Sequence, residues 1–103
     1  MIKTTFREEG KNYIMTFEGH LDTPSSVQAS RDMQVLKNCE GHDITLDCTA
    51  MEYISSSGMR LFLDLLKVTR EKGSHLTIVG LRDDIRMVFD EVGFLNLFDI
   101  RKI

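Results

Sequence analysis

A short apolar strand, a serine-rich junction and a long apolar helix follow one another in the middle of the chain. Residues 44–48 have the composition of a strand, and residues 55–58 form the junction. From Leu61 to Thr69, apolar side chains recur at intervals of three and four residues. That spacing predicts a helix with one apolar face. A strand followed by such a helix is typical of α/β proteins.

Strands and helices alternate along the rest of the chain. Residues 2–17 show two stretches of period-two patterning around the turn at Glu9–Asn12, which predicts a hairpin. Thr23 and Pro24 predict the N-cap and first residue of a helix that Gly41 closes. The remaining predicted elements are a strand at Leu76–Val79, a helix from about Asp83 and a short strand near Phe98–Arg101.

This order, β-β-α-β-α-β-α-β, predicts an α/β fold with a single domain over residues 1–103. Strands that alternate with helices are joined by parallel crossovers, and the apolar helix stripes are one-sided. We therefore expect a mixed, mostly parallel sheet with the helices packed mainly on one face. The strand at Ile44–Cys48 should lie between parallel neighbours.

Charge and composition exclude several classes of partner. The net charge is −3 and no Lys/Arg-rich run occurs, which argues against nucleic acid as the ligand. No apolar run approaches the roughly 20 residues that span a bilayer, so we expect no membrane insertion. Cys39 and Cys48 fit neither a metal site nor a disulfide framework. We interpret both as small apolar residues of a cytoplasmic protein.

Enzymatic chemistry is not indicated. The chain lacks a Gly-x-Ser-x-Gly elbow and a phosphate-binding P-loop. Its three histidines, His20, His42 and His75, fall in predicted turns and are more typical of solvated residues than of metal ligands. We therefore predict a protein that is not an enzyme and has no catalytic residue, metal or cofactor.

The serines at the junction have two interpretations. Ser56 or Ser57 is a candidate N-cap, because serine is among the best capping residues. A phosphate on one of these serines would also be stabilised there, since a helix N-terminus presents free N–H groups and a positive dipole end. The residues alone leave both possibilities open.

The chain resembles the STAS domain of bacterial anti-sigma-factor antagonists, which is also found at the cytoplasmic end of sulphate transporters. Four segments in the right order carry the resemblance: Gly19-x-Leu21-Asp22, Asp47, Tyr53–Arg60 and Val88–Phe94. The family motif is usually Asp-Ser-Ser/Thr-Gly, with the first hydroxyl residue phosphorylated. The resemblance therefore implies that Ser56 is phosphorylated and that Ser55 replaces the usual aspartate. It also implies that Asp22 lies near the phosphoserine and that Asp47 ends the third strand.

The resemblance further implies a function. Unphosphorylated, such a domain binds an anti-sigma factor that is also a serine kinase; phosphorylation releases it, and a cognate phosphatase resets the switch. The alternative is an accessory subunit of a membrane transporter or signalling complex that keeps the fold without the switch. Met51 and Met59 are either an apolar rim for the partner or core residues. The predicted partner-binding residues are Asp22, Thr23, Ser25, Met51, Ser55, Ser57, Gly58 and Met59.

Overall fold

The computed structural model, described here for residues 1–102, has the predicted order of elements. The sheet has five strands and three α-helices connect them, with a 3₁₀ segment, Met33–Lys37, extending the first helix. The elements are β1 Ile2–Glu9, β2 Asn12–Leu21, α1 Thr23–Asp32, β3 Asp43–Ile54, α2 Ser56–Glu71, β4 Leu76–Val79, α3 Asp83–Glu91 and β5 Asp99–Arg101.

The strands lie side by side in sequence order, and only the β1–β2 pair is antiparallel. The expected mixed, mostly parallel sheet is confirmed, and β3 has a parallel neighbour on each side. Met15, Leu46 and Ile78 share a register row across three strands and are buried. In the alternate row, Thr45 and Thr77 are partly exposed, and only Ile14 of β2 is buried. One face of the sheet is therefore covered and the other is open.

All three helices contribute to one core over the covered face. Ala29, Phe62 and Phe89, from α1, α2 and α3, are fully buried in the same apolar cluster as the strand residues. Phe62 lies between two other rings, with centroid distances of 5.3 Å to Phe17 and 6.5 Å to Phe89. The helices thus pack on one face of the sheet, as predicted. This arrangement leaves the ends of the parallel strands as the edge where loops gather.

Three predicted boundaries are wrong. β3 continues past Cys48 to Ile54, because it keeps pairing with β2 through two register shifts. α1 ends well before Gly41, which instead adopts a positive φ in the turn that precedes β3. His20 lies within β2 and not in a turn. The extended β3 therefore leads directly into α2, with only Ser55 between them.

The two cysteines are fully buried, which confirms their interpretation as small apolar residues. Burial raises the pKa of the Cys48 thiol well above its ordinary value. Because the thiolate is the reactive form, we expect both thiols of the native protein to resist a thiol reagent and to react after unfolding in denaturant. Labelling of the native protein at the rate of the unfolded protein would contradict this packing.

Candidate functional site

Two helices begin side by side at the carboxyl ends of two parallel strands. Leu21 and Ile54 are register partners at the ends of β2 and β3. The next residue along, Ser55, donates its N–H to the Leu21 carbonyl oxygen at 2.8 Å. α1 follows from Asp22 and α2 from Ser55, so both helix N-termini lie at the same edge of the sheet. The sequence motif and the loop acid are thereby brought together.

Ser55 is the N-cap of α2. Its backbone is extended, and its hydroxyl oxygen accepts a hydrogen bond from the Gly58 N–H at 3.1 Å. The side chain is nearly buried, with 9% exposure. The prediction that Ser56 or Ser57 caps the helix is therefore wrong by one position, because β3 runs to Ile54 and the helix starts immediately after it.

This cap gives a direct test of the aspartate replacement. Ser55→Ala removes the acceptor for the Gly58 N–H and should lower the free energy of unfolding by about 1 kcal/mol. Ser55→Asp restores a good capping acceptor and should keep the stability of the unmodified protein. Chemical denaturation of both variants measures the difference. Equal stability of the Ala and Asp variants would show that the cap contributes nothing.

Ser56 is exposed and is the first residue of α2, whereas Ser57 is half-buried. The first N–H groups of a helix have no acceptor within the helix and form its positive dipole end. A negative group on Ser56 would lie at this end and in solvent. Among the three serines, Ser56 combines exposure with a hydroxyl that is not used for capping.

Gly58 lets α2 lie against the strand ends. A Cβ atom at this position would stand 2.7 Å from Cγ of Leu21 and 2.9 Å from Cγ1 of Ile54. Both neighbouring side chains are buried. The glycine of the motif thus has a packing role: it allows the first turn of α2 to touch the core directly. From the sequence, Gly58 was predicted as the motif glycine and as a partner-binding residue, but its contact with the core was not predicted.

Asp22 caps α1 through a reciprocal pair of hydrogen bonds with Ser25. The Ser25 N–H donates to the Asp22 carboxylate at 2.9 Å, and the Asp22 N–H donates to the Ser25 hydroxyl at 3.0 Å. Hydrogen bonds from the N–H and hydroxyl of Ser25 hold the pKa of the Asp22 carboxyl below its usual value. Asp22, rather than Thr23, is therefore the N-cap, and Thr23 lies exposed in the first turn.

The methionines lie in the core. Met51 is fully buried, so it offers no apolar rim for a partner, and Met59 is only 6% exposed, where it lines the floor of a groove beside Ser56. Their side chains join the cluster under the helices.

The predicted position of Asp47 at the end of the third strand is also wrong. Asp47 lies in the middle of β3 and accepts hydrogen bonds from the N–H and hydroxyl of Thr49.

Other exposed side chains also lie at this edge of the sheet. Their proximity to one another was not predicted from the sequence. Tyr53 is 49% exposed and its ring centroid lies 6.2 Å from that of His20, which in turn is 4.0 Å from the Glu52 carboxylate. These residues end β2 and β3, and their proximity depends on the register shifts. An open groove of about 250 Å³ also adjoins Ser56. Its lining comes from α2 and from the segment that follows α3: Ser56, Met59, Arg60, Leu63, Val92 and Phe94.

Arg60 lies one helical turn after Ser56. Its Nε lies 3.3 Å from Oδ1 of Asp64, and the two side chains are 70% and 44% exposed. A pair this open to solvent contributes little to stability. The Arg60 guanidinium is thus the positively charged group in the first turns of α2, and its ion pair with Asp64 holds it only weakly.

The family model for the STAS domain matches residues 3–103, and the chain belongs to that family. A relative from Listeria monocytogenes named anti-sigma-B factor antagonist is 24% identical, over 99% of this chain and 90% of its own length. An anti-sigma factor antagonist from Mycobacterium paratuberculosis has the same fold, with a TM-score of 0.88 and 13% identity over 98% of this chain and 86% of its own. The Bacillus cell fate determinant SpoIIAA in its phosphorylated form superposes with a TM-score of 0.73 and 14% identity, over 95% and 90% of the two chains.

No helix within residues 1–102 is both long enough and apolar enough to cross a membrane.

Proposed function

We propose that this chain is an anti-sigma factor antagonist whose binding to an anti-sigma factor serine kinase is reversed by phosphorylation of Ser56. The observation that carries the proposal is the division of roles at the junction. Ser55 serves as the nearly buried N-cap of α2, whereas Ser56 presents its hydroxyl to solvent at the positive end of that helix. The name of the Listeria relative and the solved phosphorylated form of SpoIIAA support it.

The exposed and half-buried residues around Ser56 form the proposed partner surface. It comprises Asp22, Thr23 and Ser25 from the start of α1, and Ser56 and Ser57 from the start of α2. Ser55 and Gly58 act beneath this surface, by fixing the start of α2 and its distance from Leu21. The chain itself serves as a binding protein in the cytoplasm, while the kinase supplies the phosphate and a phosphatase removes it.

Ser55 changes the charge beside the phosphorylated residue. The family usually places an aspartate there, so this chain presents one negative charge fewer next to Ser56. The cognate kinase must therefore recognise Ser56 without a neighbouring carboxylate at position 55. We therefore expect the kinase surface that faces position 55 to accommodate a neutral side chain.

Equilibrium binding to a cognate anti-sigma factor serine kinase tests the proposal. We expect a complex in the absence of ATP and its dissociation after ATP is added, with the phosphate on this chain. Ser56→Ala is the matched control, because its complex should survive ATP. Co-purification with transporter subunits, no complex with the kinase and no phosphate on Ser56 would instead favour the accessory-subunit function.

A further inference from the structure

We propose that Arg60 is the residue that pairs with the phosphate on Ser56, and that it leaves Asp64 to do so. This inference rests on the proposed function, because it concerns the phosphorylated form of the same site. Within residues 1–102, Asp64 is the one carboxylate that the Arg60 guanidinium contacts. The contact is single and solvent-exposed, with a 3.3 Å separation.

Helix geometry brings Arg60 to the phosphate. Ser56 and Arg60 are four residues apart in the continuous helix α2, and both are exposed. Side chains at this spacing lie on one face, with about 5–6 Å between their Cβ atoms. A phosphate on Ser56 and the long guanidinium side chain therefore reach each other without any change in the backbone.

The order of acidic and basic groups along α2 favours the pair of Arg60 with the phosphate on Ser56 over its pair with Asp64. An acidic group that precedes a basic one by four residues is better placed with respect to the helix dipole than the reverse order. Phosphoserine at position 56 precedes Arg60, whereas Asp64 follows it. The phosphate also carries about −1.5 to −2 charge at pH 7, compared with −1 for the carboxylate. Charge and order both favour transfer of Arg60 to the phosphate.

The pair has a consequence for the switch. A guanidinium beside the phosphate stabilises the dianion and holds the group against the surface of α2. The partner then meets a fixed, bulky and still negative group at the centre of its binding surface. Arg60 thereby positions the phosphate on Ser56.

The experiment uses the full chain with phosphoserine installed genetically at position 56, so no kinase is required. Phosphorus NMR follows the second ionisation of the phosphate, which lies at about pH 6 for ordinary phosphoserine. We expect Arg60→Gln to raise the titration midpoint by about 0.3 pH unit, a shift typical of an exposed pair at this spacing. Asp64→Asn should lower the midpoint slightly, because it removes the competitor.

Lys67→Gln is the matched control. It removes one positive charge from the same helix, eleven residues from Ser56, or about 16 Å along the axis and beyond the range of screened charges. The titration midpoint of the phosphate should stay unchanged in the Lys67→Gln variant. Equal shifts for Arg60→Gln and Lys67→Gln, or no shift for Arg60→Gln, would overturn the pairing. A failure of the proposed function is separate, since it would appear in the kinase assay and not in this titration.

Discussion

Ser56→Ala is expected to bind the anti-sigma factor kinase persistently in ATP, whereas Ser56→Asp loses at least a hundredfold in affinity. Like charges forced together at an interface cost several kcal/mol, and each 1.4 kcal/mol is about tenfold in affinity. The exposed position of Ser56 lets the charge meet the partner directly. At the N-terminus of α2 the same charge is favourable for the fold by about 0.3–1 kcal/mol. Calorimetric titration and thermal melting measure the two effects.

The melting temperature separates a switch at the interface from a loss of folding. Ser56→Asp should melt at or slightly above the temperature of the unmodified protein. Ser30→Asp is the matched control, because it adds the same charge to α1 about 12 Å along the helix from its N-cap Asp22. The control should bind normally. Binding of Ser56→Asp with unchanged affinity would refute the assignment of the switch to this residue.

Gly58→Ala is expected to destabilise the protein by about 1–3 kcal/mol, although alanine is the better helix former. The new Cβ would lie 2.7 Å from Cγ of Leu21 and 2.9 Å from Cγ1 of Ile54. Both side chains are packed in the core and can move only by disturbing their neighbours. Urea denaturation measures the change, which corresponds to a fall of roughly 4–24 °C in melting temperature for a domain of this size.

Two controls isolate the close approach at Gly58. Lys67→Ala changes an exposed position of the same helix and should be neutral within about 0.5 kcal/mol. In a Leu21→Ala background the clashing Cγ atom is absent, so Gly58→Ala should cost less than it does alone. A stabilising effect of Gly58→Ala in the otherwise unmodified protein would contradict the contact between α2 and the strand ends.

The fold could be predicted from local patterns because each element carries its own periodicity. Met15 and Phe17 are two residues apart on either side of Thr16 and lie on the covered face, and Phe62 and Leu65 belong to the predicted helical stripe. The parallel neighbours of β3 then followed from the alternation of strands and helices. These features depend on the sequence within a few residues of each position.

The details of the site could not be predicted in the same way, because they depend on contacts between distant segments. β3 extends to Ile54 only because β2 continues beside it through two register shifts. That extension makes Ser55 the cap and leaves Ser56 exposed. The burial of Met51 likewise depends on its place in the extended strand, and the lack of room at Gly58 depends on Leu21.

The most direct test of the switch is to map the phosphate after the cognate anti-sigma factor kinase and ATP have acted on the chain. Tandem mass spectrometry should find one phosphate per chain, on Ser56. The purified phosphorylated chain should melt like the unmodified chain and fail to rebind the kinase. Phosphate found only on Ser55 or Ser57, or a phosphorylated chain that rebinds with unchanged affinity, would contradict the account.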